Sequence, residues 1–150
     1  MLAAGAAAVA LAAVPARAAT READALTALV RAELDAAFVY REATLPGAAT
    51  VAGQDHEHAQ ALATHVEALA LLPPRPRHDR AGLGAPALAV LDATGARALR
   101  QAAIAYERSL IEGCAQRLPV LEDPNTVRTV ATVMAGHAQH LVLHELISRG

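Results

Sequence analysis

Aromatic residues and cysteine are scarce in this chain, although apolar side chains are abundant. Only 2% of its 150 residues are aromatic, with no Trp, while 54% are hydrophobic. Alanine and leucine supply most of that apolar content, which favours closely packed helices over sheets. Cys114 is the single cysteine, which excludes an intramolecular disulfide and a cysteine-rich zinc or iron–sulfur site. The length suits one domain with a buried core.

Lysine is absent, so all 13 basic residues are arginine, and the formal net charge is −2. This balance gives no basic surface of the kind that binds nucleic acid, so we expect no nucleic-acid partner. Serine is also scarce, and no nucleophilic triad stands out. Gly82 and Gly84 lie in a linker with no strand before it, which argues against a phosphate-binding loop. The arginine, alanine, glycine and proline content is typical of a GC-rich bacterium.

The first 19 residues, MLAAGAAAVALAAVPARAA, resemble a secretory leader. They are apolar up to Val14 and end in the small-x-small pattern Ala16-Arg17-Ala18, which is typical of a cleavage site. The positively charged start of a leader is absent, so we expect the natural start to lie upstream. A membrane anchor is a poorer interpretation because the apolar run is shorter than the roughly 18 residues a span needs. A helical extension of the domain is the other alternative. The leader predicts an exported protein with a domain at residues 20–150 and no transmembrane span in the mature chain.

Apolar residues at three- and four-residue spacing predict four long helices in that domain. Pro46-Gly47 ends the first helix, and Asp123-Pro124 supplies an N-cap followed by proline at the start of the fourth. Between the second and third helices lies a long Pro/Gly-rich connection, with a short helical turn at residues 87–91. No stretch alternates apolar and polar residues for long enough to predict a strand. The predicted fold is therefore an all-α, up-down four-helix bundle. The helices are predicted at residues 20–44 (with Thr20 as N-cap), 48–71, 96–118 and from 124 to about 147.

Titratable side chains interrupt the apolar stripe of every predicted helix. Acid and histidine positions on the first two helices recur on the last two, so the domain contains an internal repeat. Residues three apart lie on one face of a helix, so each pair can hold one metal ion. A carboxylate on an apolar stripe is costly to bury unless it is paired or metal-bound. The pattern therefore predicts a metal site inside the bundle, at Glu33, Asp55-x-x-His58, Glu107 and His137-x-x-His140.

That set of six residues resembles the di-iron carboxylate pattern of the ferritin-like superfamily, which includes the rubrerythrins. The flanking segments HEHAQALATHVEAL and DPNTVRTVATVMAGHAQHLVL are similar to those of secreted bacterial ferritin-like domain proteins. The resemblance implies a ferritin-like bundle, the same six residues as metal ligands, iron as the metal, and oxidoreductase or ferroxidase-like chemistry.

Two positions depart from the family pattern. Asp55 and His137 stand where the family has metal-bridging acids, and an imidazole cannot bridge two ions as a carboxylate does. A single ion or an unequal pair is therefore expected instead of a symmetric di-iron centre. The additional imidazoles also admit manganese, zinc or copper. Tyr40, His65 and His144 are candidates for hydrogen bonding that holds the ligands in place, and Cys114 is expected to pack as a small core residue.

Three further alternatives remain open from the sequence. A non-catalytic envelope or structural bundle that has lost a working di-iron site is the main alternative function, and cage-type iron storage is a weaker one. Arginines in the long connection could bind an anion, although a solvated loop is the simpler interpretation; the basic residues there are Arg75, Arg77, His78 and Arg80. The alanine-rich surface admits a homodimer.

Overall fold

The computed structural model describes the backbone of residues 6–146 and the side chains of residues 19–146. Over that range the chain is helical and contains no strand, which confirms the all-α class. A short 3₁₀ turn, Leu118–Val120, follows the fourth helix. The helices are α1 Ala6–Glu42, α2 Ala48–Ala68, α3 Ala85–Asp92, α4 Ala96–Arg117 and α5 Pro124–Leu146.

The helix α1 extends back to Ala6, so Thr20 lies inside it and the predicted helix start at Thr20 is wrong. The run before Thr20 is rich in alanine, which has high helix propensity, and the helix continues through Pro15. Residues 1–5 of the predicted leader lie outside the described residues, and the leader stays a prediction. None of the helices in the described part of the chain combines the length and the apolar character needed to cross a membrane.

The long helices pack as two hairpins, α1 with α2 and α4 with α5, and the hairpins contact each other. Gly47 connects α1 to α2 with φ of +80°, a left-handed conformation that side chains other than glycine rarely adopt. At the start of α5, the Asp123 carboxylate accepts a hydrogen bond of 3.0 Å from the Thr126 amide. This bond confirms the predicted N-cap. The helix α3 covers the side where α1 and α4 meet, and is longer than the single turn predicted at residues 87–91.

Two apolar layers fill the interior, and the predicted site lies between them. One layer contains Phe38, Val51 and Val90, together with the first half of α4. The other contains Leu26, Leu62 and the first half of α5. The acid and histidine positions fall between these layers on all four long helices, so the polar cluster is enclosed by close-packed apolar side chains above and below.

Helical spacing in the sequence also predicts Leu69 on the inner stripe of α2 and Leu146 on that of α5, and both predictions are wrong. Leu69 is 37% exposed because α2 ends at Ala68, one residue before it. Leu146 is 60% exposed, since the buried face of α5 is instead formed by residues at strict four-three spacing. That face consists of Thr126, Val130, Val133, His137, His140 and His144.

The long connection is tied to the helices by its arginines. The Arg77 guanidinium donates to both carboxylate oxygens of Asp35 on α1, at 2.6 and 3.3 Å. Arg80 pairs with Asp92 at 2.8 Å. Both arginines already pair with carboxylates, so their guanidinium groups are not available to bind an anion. These ion pairs argue against an anion site in the connection.

Candidate metal centre

The four long helices bring all six predicted ligands together in the interior. Glu33 comes from α1, Asp55 and His58 from α2, Glu107 from α4, and His137 and His140 from α5. Five of them are at most 4% exposed, and the side chain of His58 is 18% exposed. Two groups within this cluster have ligand atoms close enough to hold an ion, and they share His137. The groups are Glu33, Asp55, His58 and His137, and Glu107, His137 and His140.

His137 lies at the centre of the cluster, between two carboxylates. Its Nε2 is 2.8 Å from Glu33 Oε1 and its Nδ1 is 2.9 Å from Glu107 Oε2. Burial lowers the pKa of His137, but the hydrogen bonds to Glu107 and Glu33 raise it by more than burial lowers it. The pKa of His137 is therefore raised, to about 10. Without a metal, His137 is therefore an imidazolium at neutral pH that donates to both carboxylates.

The same contacts act on the two glutamates. Burial raises the pKa of Glu33, but hydrogen bonds from His137 and His58 outweigh burial and bring it below 4.5. Burial likewise raises the pKa of Glu107, but the hydrogen bond from His137 outweighs burial, and the pKa is lowered to about 2. Both glutamates are thus ionised in the interior, with one imidazolium between them.

No hydrogen bond from the described residues offsets the effect of burial on the pKa of Asp55. Neither of its carboxylate oxygens has a hydrogen-bond partner among the described residues, although the side chain is fully buried. Burial and the nearby Glu33 charge raise the pKa of Asp55 well above its usual value. Its Oδ1 lies 4.0 Å from His58 Nδ1, 4.0 Å from His137 Nδ1 and 3.7 Å from His140 Nδ1. Asp55 therefore faces both groups of ligand atoms.

His140 is oriented by a residue that the sequence interpretation missed. Its Nε2 is 2.6 Å from Gln54 Oε1, and only a protonated Nε2 can donate to that oxygen. In the neutral ring the lone pair then lies on Nδ1, which is buried without a hydrogen-bond partner in the described part of the chain. That nitrogen is 3.5 Å from Glu107 Oε1, an oxygen that is also unpartnered there. A histidine ligand typically donates a hydrogen bond from one ring nitrogen, as His140 Nε2 does to Gln54, and binds the metal through the other.

Gly136 is the second residue that the sequence interpretation missed. A Cβ atom placed on Gly136 would lie 2.5 Å from His58 Cε1 and 2.8 Å from His58 Nε2. The His58 ring thus lies directly against the α5 backbone, where only glycine leaves room for it. From there His58 Nδ1 reaches Glu33 Oε2 at 3.2 Å. An isolated glycine inside a helical pattern, next to His137, was the available signal for this close approach.

The three residues predicted to support the ligands have different positions. Tyr40 lies beside the cluster, and burial together with the Glu107 charge raises its pKa. His144 stacks on the Tyr40 ring, with ring centres 5.7 Å apart, and is fully buried. His65 is not brought to the cluster: its ring nitrogens contact Thr126 and Thr129 at 3.0 and 2.9 Å. The reason is distance along α2, since the seven residues from His58 to His65 span about 10 Å.

Cys114 is buried in the apolar layer next to the cluster, and burial raises the pKa of its thiol to about 12. A protonated thiol of this kind packs as a small apolar side chain, in agreement with its predicted role.

The described residues therefore contain a buried carboxylate–histidine cluster that could hold a metal ion. Comparisons of the chain with models of protein families, with curated proteins and with solved structures give no match in any of the three.

Proposed function

We propose that this chain is an exported metal-binding protein of the ferritin-like type, with an ion held inside a four-helix bundle. The observation that carries the proposal is a buried histidine nitrogen that lies close to one oxygen of each of two buried carboxylates, where all three atoms lack a hydrogen-bond partner among the described residues. These atoms are Asp55 Oδ1, Glu107 Oε1 and His140 Nδ1. Unsatisfied buried acceptors are rare and costly, and one cation would satisfy all three.

The distances from His140 to the two carboxylates suit a shared ion. The Nδ1 of His140 is 3.5 Å from Glu107 Oε1 and 3.7 Å from Asp55 Oδ1. Ligand atoms about 2.1 Å from a tetrahedrally coordinated ion are separated by about 3.4 Å. Both distances from His140 are within a few tenths of an ångström of this separation, and Gln54 already holds His140 with its Nδ1 free to bind.

The remaining residues form the second, unequal half of the site. His137 donates to Glu33 and Glu107 in the metal-free protein, so it can become a ligand only after it loses a proton. Glu33 and His58 contact each other directly and complete this half. We infer that the ion first binds at Asp55, Glu107 and His140, and that any second ion binds more weakly at Glu33, His58 and His137.

Iron is the proposed ion, with manganese, zinc and copper as alternatives, because mixed carboxylate and imidazole ligands suit all four. A bound redox metal would supply electron-transfer or oxidase chemistry at this site. The chain's own residues supply ligands, hold them in position through Gln54 and Gly136, and exclude bulk water by burial. Export, and a homodimer through the alanine-rich surface, remain part of the proposal.

One observation favours the alternative of a structural bundle without a metal. The His137 imidazolium donates to Glu33 and Glu107 at 2.8 and 2.9 Å, and so it already neutralises part of the buried charge. In that case the cluster would be an internal ion pair that links α1, α4 and α5, and Asp55 would be a buried carboxyl group with a raised pKa and no hydrogen-bond partner among the described residues.

Metal analysis of the full chain without an affinity tag distinguishes the two functions. We expect the wild-type protein to bind about one ion per chain tightly, and Asp55→Asn to reduce the affinity at least about tenfold. Asp24→Asn is the matched control, because it makes the same substitution at an exposed position of α1. Asn is close to isosteric with Asp and removes a buried carboxyl group that has no hydrogen-bond partner among the described residues, so the variant should remain folded.

Chelation provides an independent measurement. A ligand that binds only the folded state stabilises it, so removal of the ion should lower the melting temperature of the wild type and of Asp24→Asn but not of Asp55→Asn. Metal binding that is weak in the wild type and equal in both variants would contradict the proposal and favour the ion-pair alternative. If an ion binds, oxidation of ferrous iron under air separates a redox enzyme from a metal-binding protein.

A further inference from the structure

His65 joins the last turn of α2 to the first two turns of α5. Its Nδ1 is 3.0 Å from Thr126 Oγ1, and its Nε2 is 2.9 Å from Thr129 Oγ1. The ring is half-buried between the two helices. These are also the helices that carry Asp55 and His58 on one side of the cluster and His137 and His140 on the other. The contact of His65 with α5 therefore helps to set the separation of two helices that line the cluster.

Both threonine hydroxyl groups already donate their single proton elsewhere. The Thr126 hydroxyl donates to the Asp123 carboxylate at 2.8 Å, and the Thr129 hydroxyl donates to the Asn125 carbonyl at 3.0 Å. A hydroxyl group has one proton, so towards His65 each of these oxygens can only accept. A histidine ring that donates from both of its nitrogens is an imidazolium. The complete set of hydrogen bonds therefore requires the charged form of His65.

The charges around the ring favour that form. Glu22 of α1 and Asp123 line the same small cavity as His65. Hydrogen bonds from the Thr126 hydroxyl and amide lower the pKa of Asp123 from 3.8, so this carboxylate is ionised at neutral pH. The positive end of the α5 dipole opposes a cation, and the carboxylates offset it. The other charged residues within three positions of His65 or of its threonine partners are exposed, and they are Glu67 and Arg128.

We propose that His65 is a pH-sensitive bridge between α2 and α5, complete only when its ring is an imidazolium that donates to both threonines. A neutral ring has one N–H group, so one of the two hydrogen bonds is lost unless a threonine gives up its own acceptor. Histidine changes charge between about pH 5 and 8. Since the folded state binds the charged form better, the bridge stabilises the protein at the acidic end of this range, and that contribution is lost as the pH rises. The bridge goes beyond the proposed function, because no metal takes part in it.

Thr129→Val and Thr132→Val form a matched pair for the test. Each variant removes an α5 hydroxyl that donates to the carbonyl four residues earlier, at 3.0 Å in both cases. Thr129 also accepts from His65, whereas Thr132 is exposed. Chemical denaturation of the metal-free full chain at about pH 5.5 and about pH 8.5 measures unfolding on either side of the range in which histidine changes charge.

At the acidic pH, the unfolding equilibrium constant of Thr129→Val should exceed that of Thr132→Val at least about fivefold, because a hydrogen bond from a charged donor is lost. At the alkaline pH the two constants should be nearly equal, because a neutral His65 ring can use its one N–H group on Thr126. Titration within the buried cluster affects both variants and cancels from their ratio. A ratio that stays the same at both pH values, or that is larger at the alkaline one, would overturn the proposal.

His65→Gln shows whether this histidine is the source of the pH dependence. In the His65→Gln background the ratio of the two constants should be the same at both pH values, because a glutamine amide does not change charge. A pH dependence that persists there would contradict the bridge. Ring-nitrogen NMR of the wild type needs no threonine variant: at the acidic pH both His65 nitrogens should carry a proton, and a neutral ring would also contradict the bridge.

Metal titration of Thr129→Val and Thr132→Val keeps the two proposals separate, since both substitutions lie outside the ligand set. A pH-dependent ratio in a chain that binds no metal would support the bridge and contradict only the proposed function. Tight metal binding together with a ratio that does not depend on pH would contradict only the bridge.

Discussion

Replacing Gly136 with alanine perturbs the cluster without removing a single ligand. The new Cβ would lie 2.5 Å from His58 Cε1, whereas carbon atoms in contact are ordinarily at least about 3.5 Å apart. The His58 ring must therefore retreat by about 1 Å, a distance that follows from the difference between these two values. The ring is the far end of a side chain, so it can move, but its contact of 3.2 Å with Glu33 then lengthens.

Two opposing effects determine the stability of Gly136→Ala. Alanine in a helix interior is more stable than glycine by about 0.5–1 kcal/mol. Overpacking against His58 costs about 1–3 kcal/mol. We therefore expect the metal-free variant to be equally stable or about 2 kcal/mol less stable than the wild type, measured by chemical denaturation.

Gly53→Ala in α2 is the matched control, because nothing lies within 4 Å of its added Cβ. It should gain the full helix-propensity term of about 0.5–1 kcal/mol. Metal titration is the decisive assay: displacement of His58 should weaken binding of the second ion, at Glu33, His58 and His137, by about 10- to 100-fold in Gly136→Ala and not in Gly53→Ala, while the first ion binds equally in both. Equal affinity of the second ion in the two variants would refute the placement of His58 against α5 as part of the site.

Two further predictions concern the connection and the start of α5. The double-mutant cycle Arg77→Met with Asp35→Asn should give a coupling free energy of about 1–2 kcal/mol in chemical denaturation, since two charge-assisted hydrogen bonds are largely shielded from water; additive single effects would contradict this. Hydrogen bonds from the Thr126 side chain and amide lower the pKa of Asp123 from 3.8. A depressed folded-state pKa stabilises the protein above the unfolded pKa, and this contribution is lost as the pH falls through the folded value. The melting-temperature difference between wild type and Asp123→Asn should therefore be present at pH 7 and decline below about pH 4, and a pH-independent difference would contradict the lowered pKa of Asp123.

The helices were largely predictable because their signals are local. Three- and four-residue spacing placed the long helices, Pro46-Gly47 placed their first break, and Asp123-Pro124 placed the start of α5. The errors lie where local signals are weak: α1 continues through Thr20, and α2 ends before Leu69. A helix end depends on whether the next turn has something to pack against, which spacing along the chain does not record.

The sequence by itself determined which residues meet in the interior, because helical periodicity places Glu33, Asp55, Glu107 and the α5 histidines on buried faces. Only the tertiary structure decided how these side chains pair. It placed the His137 ring between Glu33 and Glu107, left Asp55 without a hydrogen-bond partner among the described residues, and brought Gln54 to His140. It also separated His65 from the cluster and pressed His58 against Gly136. These contacts join different helices, and their geometry follows from interhelical distance and rotation, which no single segment of the chain encodes.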